Sequence, residues 1–180
     1  LGTFSPPVAV FNDYKFLETL DDRDWISGVA EAVKVSLIKD ESFFGWLETN
    51  AHLLVQRNKE AMQYLIYRCA ELHIQHISGN DPFETGSSRP LDFGHWIAHK
   101  LENLSSFSIR HGEAVAIGIA VDTVYSNKTG LLSLEDMNRI IKLLLNVGFN
   151  LSHPALIQKD KQNIFNGLND FREHLGGQLT

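Results

Sequence analysis

The stretch from Gly112 to Lys128 constrains this chain most, because small and apolar residues recur through it at Ala114, Ala116, Gly118 and Ala120. A helix of that composition packs closely against its neighbours. Around it lie other helical patterns. Asp21-Asp22-Arg23-Asp24 puts carboxylates at a helix start, where backbone N–H groups and the dipole favour them, and Trp25 to Ile38 carries the apolar period. Phe43, Phe44, Trp46 and Leu47 mark a short helix, and Lys59 to His76 a longer one with Met62, Leu65, Ile66 and Cys69 as its buried stripe. Ser133-Leu134-Glu135-Asp136 begins a helix to Val147 that Gly148 ends, and a last helix covers about Lys159 to Phe171. Ser78 to Pro90, with Gly79, Pro82, Gly86 and Pro90, has no period and reads as a functional loop. Only Pro6 to Phe11 and the end from Gly176 read as strands. The expected architecture is mainly α, with a short strand at each edge.

At 180 residues the chain suffices for one well-cored domain, or one domain and a piece of another. It opens at Leu1-Gly2-Thr3-Phe4 without methionine and is expected to be a fragment of a longer protein. The net charge of -6 arises from 22 acidic and 16 basic residues without a basic cluster, which argues against nucleic acid and anionic membrane partners. No apolar run approaches the roughly 18 residues of a membrane span. Cys69 is the single cysteine, so no intrachain disulfide forms, and a cytoplasmic setting is expected.

The chemistry concentrates in four residues. His95 and His99 are four apart in Gly94-His95-Trp96-Ile97-Ala98-His99, so their rings leave one helix face a turn apart. His111 follows one short loop later, in Arg110-His111-Gly112-Glu113. Glu31 lies upstream among small apolar residues, in Gly28-Val29-Ala30-Glu31-Ala32-Val33-Lys34. Imidazoles with one carboxylate suit a divalent ion of the zinc type, and three protein ligands with an open position is the catalytic arrangement. A zinc protease is excluded, because Trp96 stands where His-Glu-x-x-His needs its glutamate. His52, His76, His153 and His174 read as structural, Asp81 and Glu84 as loop-capping acids, and Asp122 as facing solvent or a neighbouring helix.

The segments Gly28 to Lys34, Asp92-Phe93-Gly94-His95-Trp96-Ile97-Ala98-His99 and His111-Gly112-Glu113-Ala114-Val115-Ala116-Ile117-Gly118 together resemble, in order and spacing, the C-terminal helical domain of 3-dehydroquinate synthase and related sugar phosphate cyclases. The resemblance implies a multihelical metal- and substrate-binding domain over 21–180, with 1–20 left from an N-terminal nucleotide-binding domain. It implies Glu31, His95 and His111 as ligands of zinc, or of another divalent metal such as cobalt. It implies His99 and Lys34 as catalytic groups and Arg89 as the residue holding the substrate's anionic group. The implied reaction uses NAD transiently: a hydroxyl is oxidised, phosphate is lost, the ketone is re-reduced and an intramolecular aldol step closes the ring. No Gly-rich dinucleotide stretch occurs here, so NAD is expected to bind mainly outside this chain, which alone should be inactive. The family is usually dimeric, so a homodimer is expected of the longer protein, and the implied partner is a phosphorylated sugar substrate.

Three positions depart from the dehydroquinate synthase pattern. Asp92 stands where Asn is common, His73 follows Glu71-Leu72 where Lys is usual, and Phe171-Arg172-Glu173-His174 replaces a late lysine pair. Asp92, His73 and Arg172 are therefore expected to contact a substrate without a carboxylate, such as a sedoheptulose phosphate of the valiolone type. Two rival readings remain: a metal-dependent alcohol dehydrogenase of the iron-containing type, against which Ala30-Glu31-Ala32-Val33-Lys34 speaks, and a helical binding module without chemistry.

Overall fold

The structure, a computed structural model, describes residues 8–78, 92–157 and 162–174. Arg89, most of the expected functional loop and the strand expected from Gly176 lie outside them. A 3-10 helix over Tyr14–Thr19 leads into α1 (Asp22–Ser27), α2 (Val29–Lys39), α3 (Glu41–Val55), α4 (Lys59–Ile77), α5 (His95–Leu104), α6 (His111–Lys128), α7 (Leu134–Val147), α8 (Pro154–Ile157) and α9 (Gln162–His174).

Local chemistry sets these boundaries. The Asp21 side chain accepts from the Asp24 N–H at 2.7 Å, Asp40 from Phe43 at 3.1 Å, Asn58 from Ala61 at 2.8 Å, and Ser133 from Asp136 at 3.0 Å. Each cap satisfies a helix N–H that would otherwise lack a partner. Gly148, at φ 101°, ends α7.

Three expectations are corrected. The helix expected from Trp25 to Ile38 is broken at Gly28, whose helix propensity is weak. The short helix around Phe43 runs through Thr49, Asn50 and His52 to Val55, because Phe43, Phe44, Leu47, Ala51 and Leu54 keep one buried stripe across the polar residues. The opening strand does not form in its described part. Residues 8–11 are irregular, and among the described residues no strand exists to complete a ladder.

Helices α2 and α6 form the centre. Val29, Ala30, Ala32 and Val33 of α2 are buried on either side of Glu31, and Ala114 to Ala120 of α6 are buried without interruption. A helix buried on every side must be apolar on every side, as the composition of α6 requires. Each large aliphatic residue buried there contributes about 1.5–3 kcal/mol. Two glycines let backbones touch: a Cβ on Gly112 would lie 1.8 Å from the Ser27 carbonyl oxygen, and one on Gly118 would lie 1.8 Å from that of Gly94. Larger residues at either place would hold the start of α6 away from α1 and α5. That start carries His111.

Candidate metal centre

Three helix beginnings meet at one point. Glu31 lies in the first turn of α2, His95 is the first residue of α5, and His111 is the first residue of α6. Asp122 of α6 fixes the approach to α5, accepting the Gly94 N–H and the Trp96 indole N–H, each at 2.9 Å. Burial pushes the Asp122 carboxyl upward against those hydrogen bonds. Of the two faces expected for Asp122, it occupies the one between helices, and Trp96 serves as its anchor. At the start of α6, Glu113 accepts the Arg110 N–H at 2.9 Å and takes a two-pronged contact from Arg23, both prongs 2.6 Å.

Glu31 Oε1 lies 3.3 Å from His95 Nε2 and 3.3 Å from His111 Nε2. Its other oxygen lies 2.6 Å from Nζ of Lys34, which is buried with 6% of its surface exposed. Burial acts to raise Glu31, but hydrogen bonds from His111 and His95 together with Lys34 hold it well below the usual carboxylate range. Contact with Glu31 raises His111 despite partial burial, with Glu102 adding to the effect.

The outer nitrogens decide what the inner ones can do. His95 Nδ1 is 3.0 Å from the Phe93 carbonyl oxygen, and His111 Nδ1 is 3.2 Å from Glu102 Oε1. Both partners only accept, so each Nδ1 carries a proton, and the Nε2 that faces Glu31 donates to it when protonated and offers its lone pair to a metal when not. Once those protons leave, two lone pairs and a carboxylate oxygen at 3.3 Å repel unless a metal cation stands among them. Donors about 2.0–2.1 Å from a tetrahedral zinc lie about 3.4 Å apart, close to what is found here. Histidines that donate from Nδ1 to a carbonyl or carboxylate are the usual metal-binding form. The donor set therefore fits a divalent metal of the zinc type.

His99 is exposed one turn along from His95, with its ring centroid 5.6 Å from those of both His95 and His111. Its Nδ1 is 3.0 Å from Glu102 Oε2. Glu102 escapes the sequence reading; the one signal that could have found it is its place three residues after His99 on the same helix. His73 is exposed on α4, outside the donor clusters among the described residues. Asp92 is half-buried just ahead of α5, and its Oδ2 is buried with no hydrogen-bond partner among the described residues. Arg172 belongs to α9, which packs on the histidine helix. His153 has a structural task, accepting the Ala155 N–H at 3.2 Å.

Residues 28–169 match the family model of the 3-dehydroquinate synthase C-terminal domain. The chain belongs to that family. Among its relatives are 3-dehydroquinate synthases of two Coxiella burnetii strains, CbuG_Q212 and Dugway 5J108-111, each 36% identical over 162 residues. The matched region is 89% of this chain and 45% of the relative, so the chain spans about half the length of the proteins it matches. Among solved structures it is similar to ValA, the 2-epi-5-epi-valiolone synthase of Streptomyces hygroscopicus subsp. jinggangensis 5008 with NAD+ and Zn2+ bound. The TM-score is 0.82 and the identity 29%, over 92% of this chain and 45% of that one. A 2-deoxy-scyllo-inosose synthase follows at TM-score 0.75 and 25% identity, covering 93% of this chain and 46% of that one. A second structure of that name, complexed with carbaglucose-6-phosphate, NAD+ and Co2+, shares the fold at TM-score 0.73 and 24% identity, over 87% and 42%. The helical architecture agrees with the family assignment, apart from the edge strand corrected above. No helix among the described residues is long and apolar enough to cross a membrane.

Proposed function

We propose that this chain is the metal- and substrate-binding half of a metal- and NAD-dependent sugar phosphate cyclase, with Glu31, His95 and His111 as the ligands of a zinc or cobalt ion. The observation that carries this reading is Glu31 Oε1 set 3.3 Å from Nε2 of both histidines. When bound, the ion supplies Lewis-acid polarisation of a sugar hydroxyl and its neighbouring carbonyl, and NAD, held mainly by a nucleotide-binding domain beyond this chain, supplies reversible hydride transfer.

The remaining work falls to the chain's own groups. Lys34 holds Glu31 by its free oxygen and offers a fixed buried cation beside the reacting hydroxyl. His99, partly exposed and a turn from His95, moves protons to and from the substrate. Arg89 binds the phosphate, and Asp92, His73 and Arg172 line the rest of the sugar. Such positioning converts aldol closure into an intramolecular step between aligned atoms.

The substrate class follows from the departures at Asp92, His73 and Arg172. A carboxylate near the pocket repels a carboxylated substrate, and a lost lysine removes its counter-charge. The preferred substrate is thus a sedoheptulose phosphate, which lacks a carboxylate; the similarity to a valiolone synthase supports this choice. The test supplies the full-length protein, zinc and NAD with sedoheptulose 7-phosphate and, separately, with the carboxylated seven-carbon precursor of dehydroquinate. Turnover of the first alone is expected. Turnover of the second alone contradicts the substrate class, and turnover of neither contradicts the cyclase reading. The 180-residue chain by itself should turn over neither.

A further inference from the structure

One carboxylate outside the ligand trio touches two of the three histidines. Glu102 is largely buried, with 15% of its side chain exposed, and divides its oxygens: Oε2 lies 3.0 Å from His99 Nδ1 and Oε1 lies 3.2 Å from His111 Nδ1. The two rings lie nearly parallel, 29° apart, with centroids 5.6 Å from each other. The backbone of the same residue anchors the turn that returns the chain to α6. Its carbonyl oxygen accepts the Phe107 N–H at 2.8 Å and the Ser105 hydroxyl at 3.0 Å. Within that turn Ser106 and Phe107 hold φ values of 50° and 60°, a left-handed conformation that non-glycine residues rarely adopt. Side chain and backbone of Glu102 thus fix His111 relative to α5 by independent contacts.

We propose that Glu102 is a positioning residue that sets the tautomers of His99 and His111 together, fixing a metal ligand and the neighbouring proton-carrying histidine through one carboxylate. An ionised carboxylate accepts and cannot donate, so both Nδ1 atoms must carry the proton. For His111 this leaves Nε2 as the nitrogen able to bind a metal. For His99 it leaves Nε2 as the basic nitrogen. A glutamine cannot reproduce the arrangement, since its single carbonyl oxygen serves one ring while its NH2 group meets the other donor. The proposal rests on Glu31, His95 and His111 being the ligands. His99, Glu102 and His111 also lie close enough to hold an ion themselves. That arrangement would give a second equivalent of zinc, whereas the positioning role gives one.

The test uses the whole chain, zinc alone as the probe, and two readouts. Zinc affinity is measured by chelator competition on the wild type and on Glu102→Gln, and histidine tautomers are read from long-range 1H–15N spectra of both proteins with and without zinc. One zinc per chain is expected, weakened about tenfold to a hundredfold by Glu102→Gln, as is typical when the hydrogen-bond partner of a ligand is lost. His99 is expected in the Nδ1–H form in the wild type and altered in the variant. An Nε2–H form of His99 in the wild type, two zinc ions per chain, or a variant with unchanged affinity and tautomers would each overturn the proposal. Should Glu102→Gln fail to fold, the wild-type spectrum decides. A wild type that binds no zinc refutes the ligand reading instead, and the metal-free spectrum of His99 still tests Glu102.

Discussion

Gly118 and Gly94 meet backbone to backbone, so that a Cβ on Gly118 would stand 1.8 Å from the Gly94 carbonyl oxygen. This contact sets the spacing of α5 and α6, and with it the distance between His95 and His111. Gly118→Ala forces the helices apart, because the obstacle is backbone and cannot swing aside. The expected cost is about 1–3 kcal/mol in urea unfolding of the metal-free chain, the usual range for overpacking. Zinc affinity should fall as well. A variant as stable as the wild type, with undiminished zinc affinity, would contradict this account of the helix pair.

Asp40 joins the cap of α3 to α4, accepting from the Phe43 N–H at 3.1 Å and from Arg68 Nε at 2.9 Å. The Arg68 guanidinium, helped by the cap, holds the Asp40 carboxyl below its ordinary value, with burial opposing. A depressed folded-state value means that the stabilisation is complete above the unfolded value of about 3.9 and is lost as pH falls through the folded one. Asp40→Asn should therefore cost about 1–2 kcal/mol near neutral pH, from the lost charge-assisted bond to Arg68 and the lost negative charge at the start of α3. The gap between wild type and variant should narrow as pH drops below about 4. Unfolding curves taken between pH 3 and pH 7 check this, and a gap that widens in acid would contradict it.

Cys69 lies against the core on α4, and burial pushes its thiol up to about 12, with the charge of Glu31 adding to the effect. The thiolate is the reactive form, so little is present at ordinary pH. An aromatic disulfide reagent at pH 8 should label the native chain far more slowly than the urea-unfolded chain. Equal rates would show that the thiol is neither buried nor raised.

Much of the scaffold is legible in the residues themselves. The small-residue run of α6 can be satisfied only by burial, and the caps at Asp21 and Ser133 place helix starts correctly. Polar Thr49, Asn50 and His52 hide the continuation of α3, since a stripe of five buried positions is enough to carry it. The opening apolar residues mislead for a different reason: a short apolar run has strand character, but a ladder needs a partner that sequence cannot locate.

For the site, spacing indicates that His95 and His99 share a face, whereas the approach of Glu31 depends on α2 crossing α6, information that is purely tertiary. Family resemblance supplies it instead. The pairing of Glu102 with His99 has a spacing signal, but its contact with His111 is made across a turn whose left-handed Ser106 and Phe107 carry none.

X-ray absorption at the zinc edge, on the chain loaded with one equivalent of zinc, reads the ligand set directly. Convergence of Glu31, His95 and His111 predicts one tightly held ion with two imidazole nitrogens and a carboxylate oxygen at about 2.0–2.2 Å. A chain that retains no zinc, or a zinc spectrum without imidazole scattering, would contradict it.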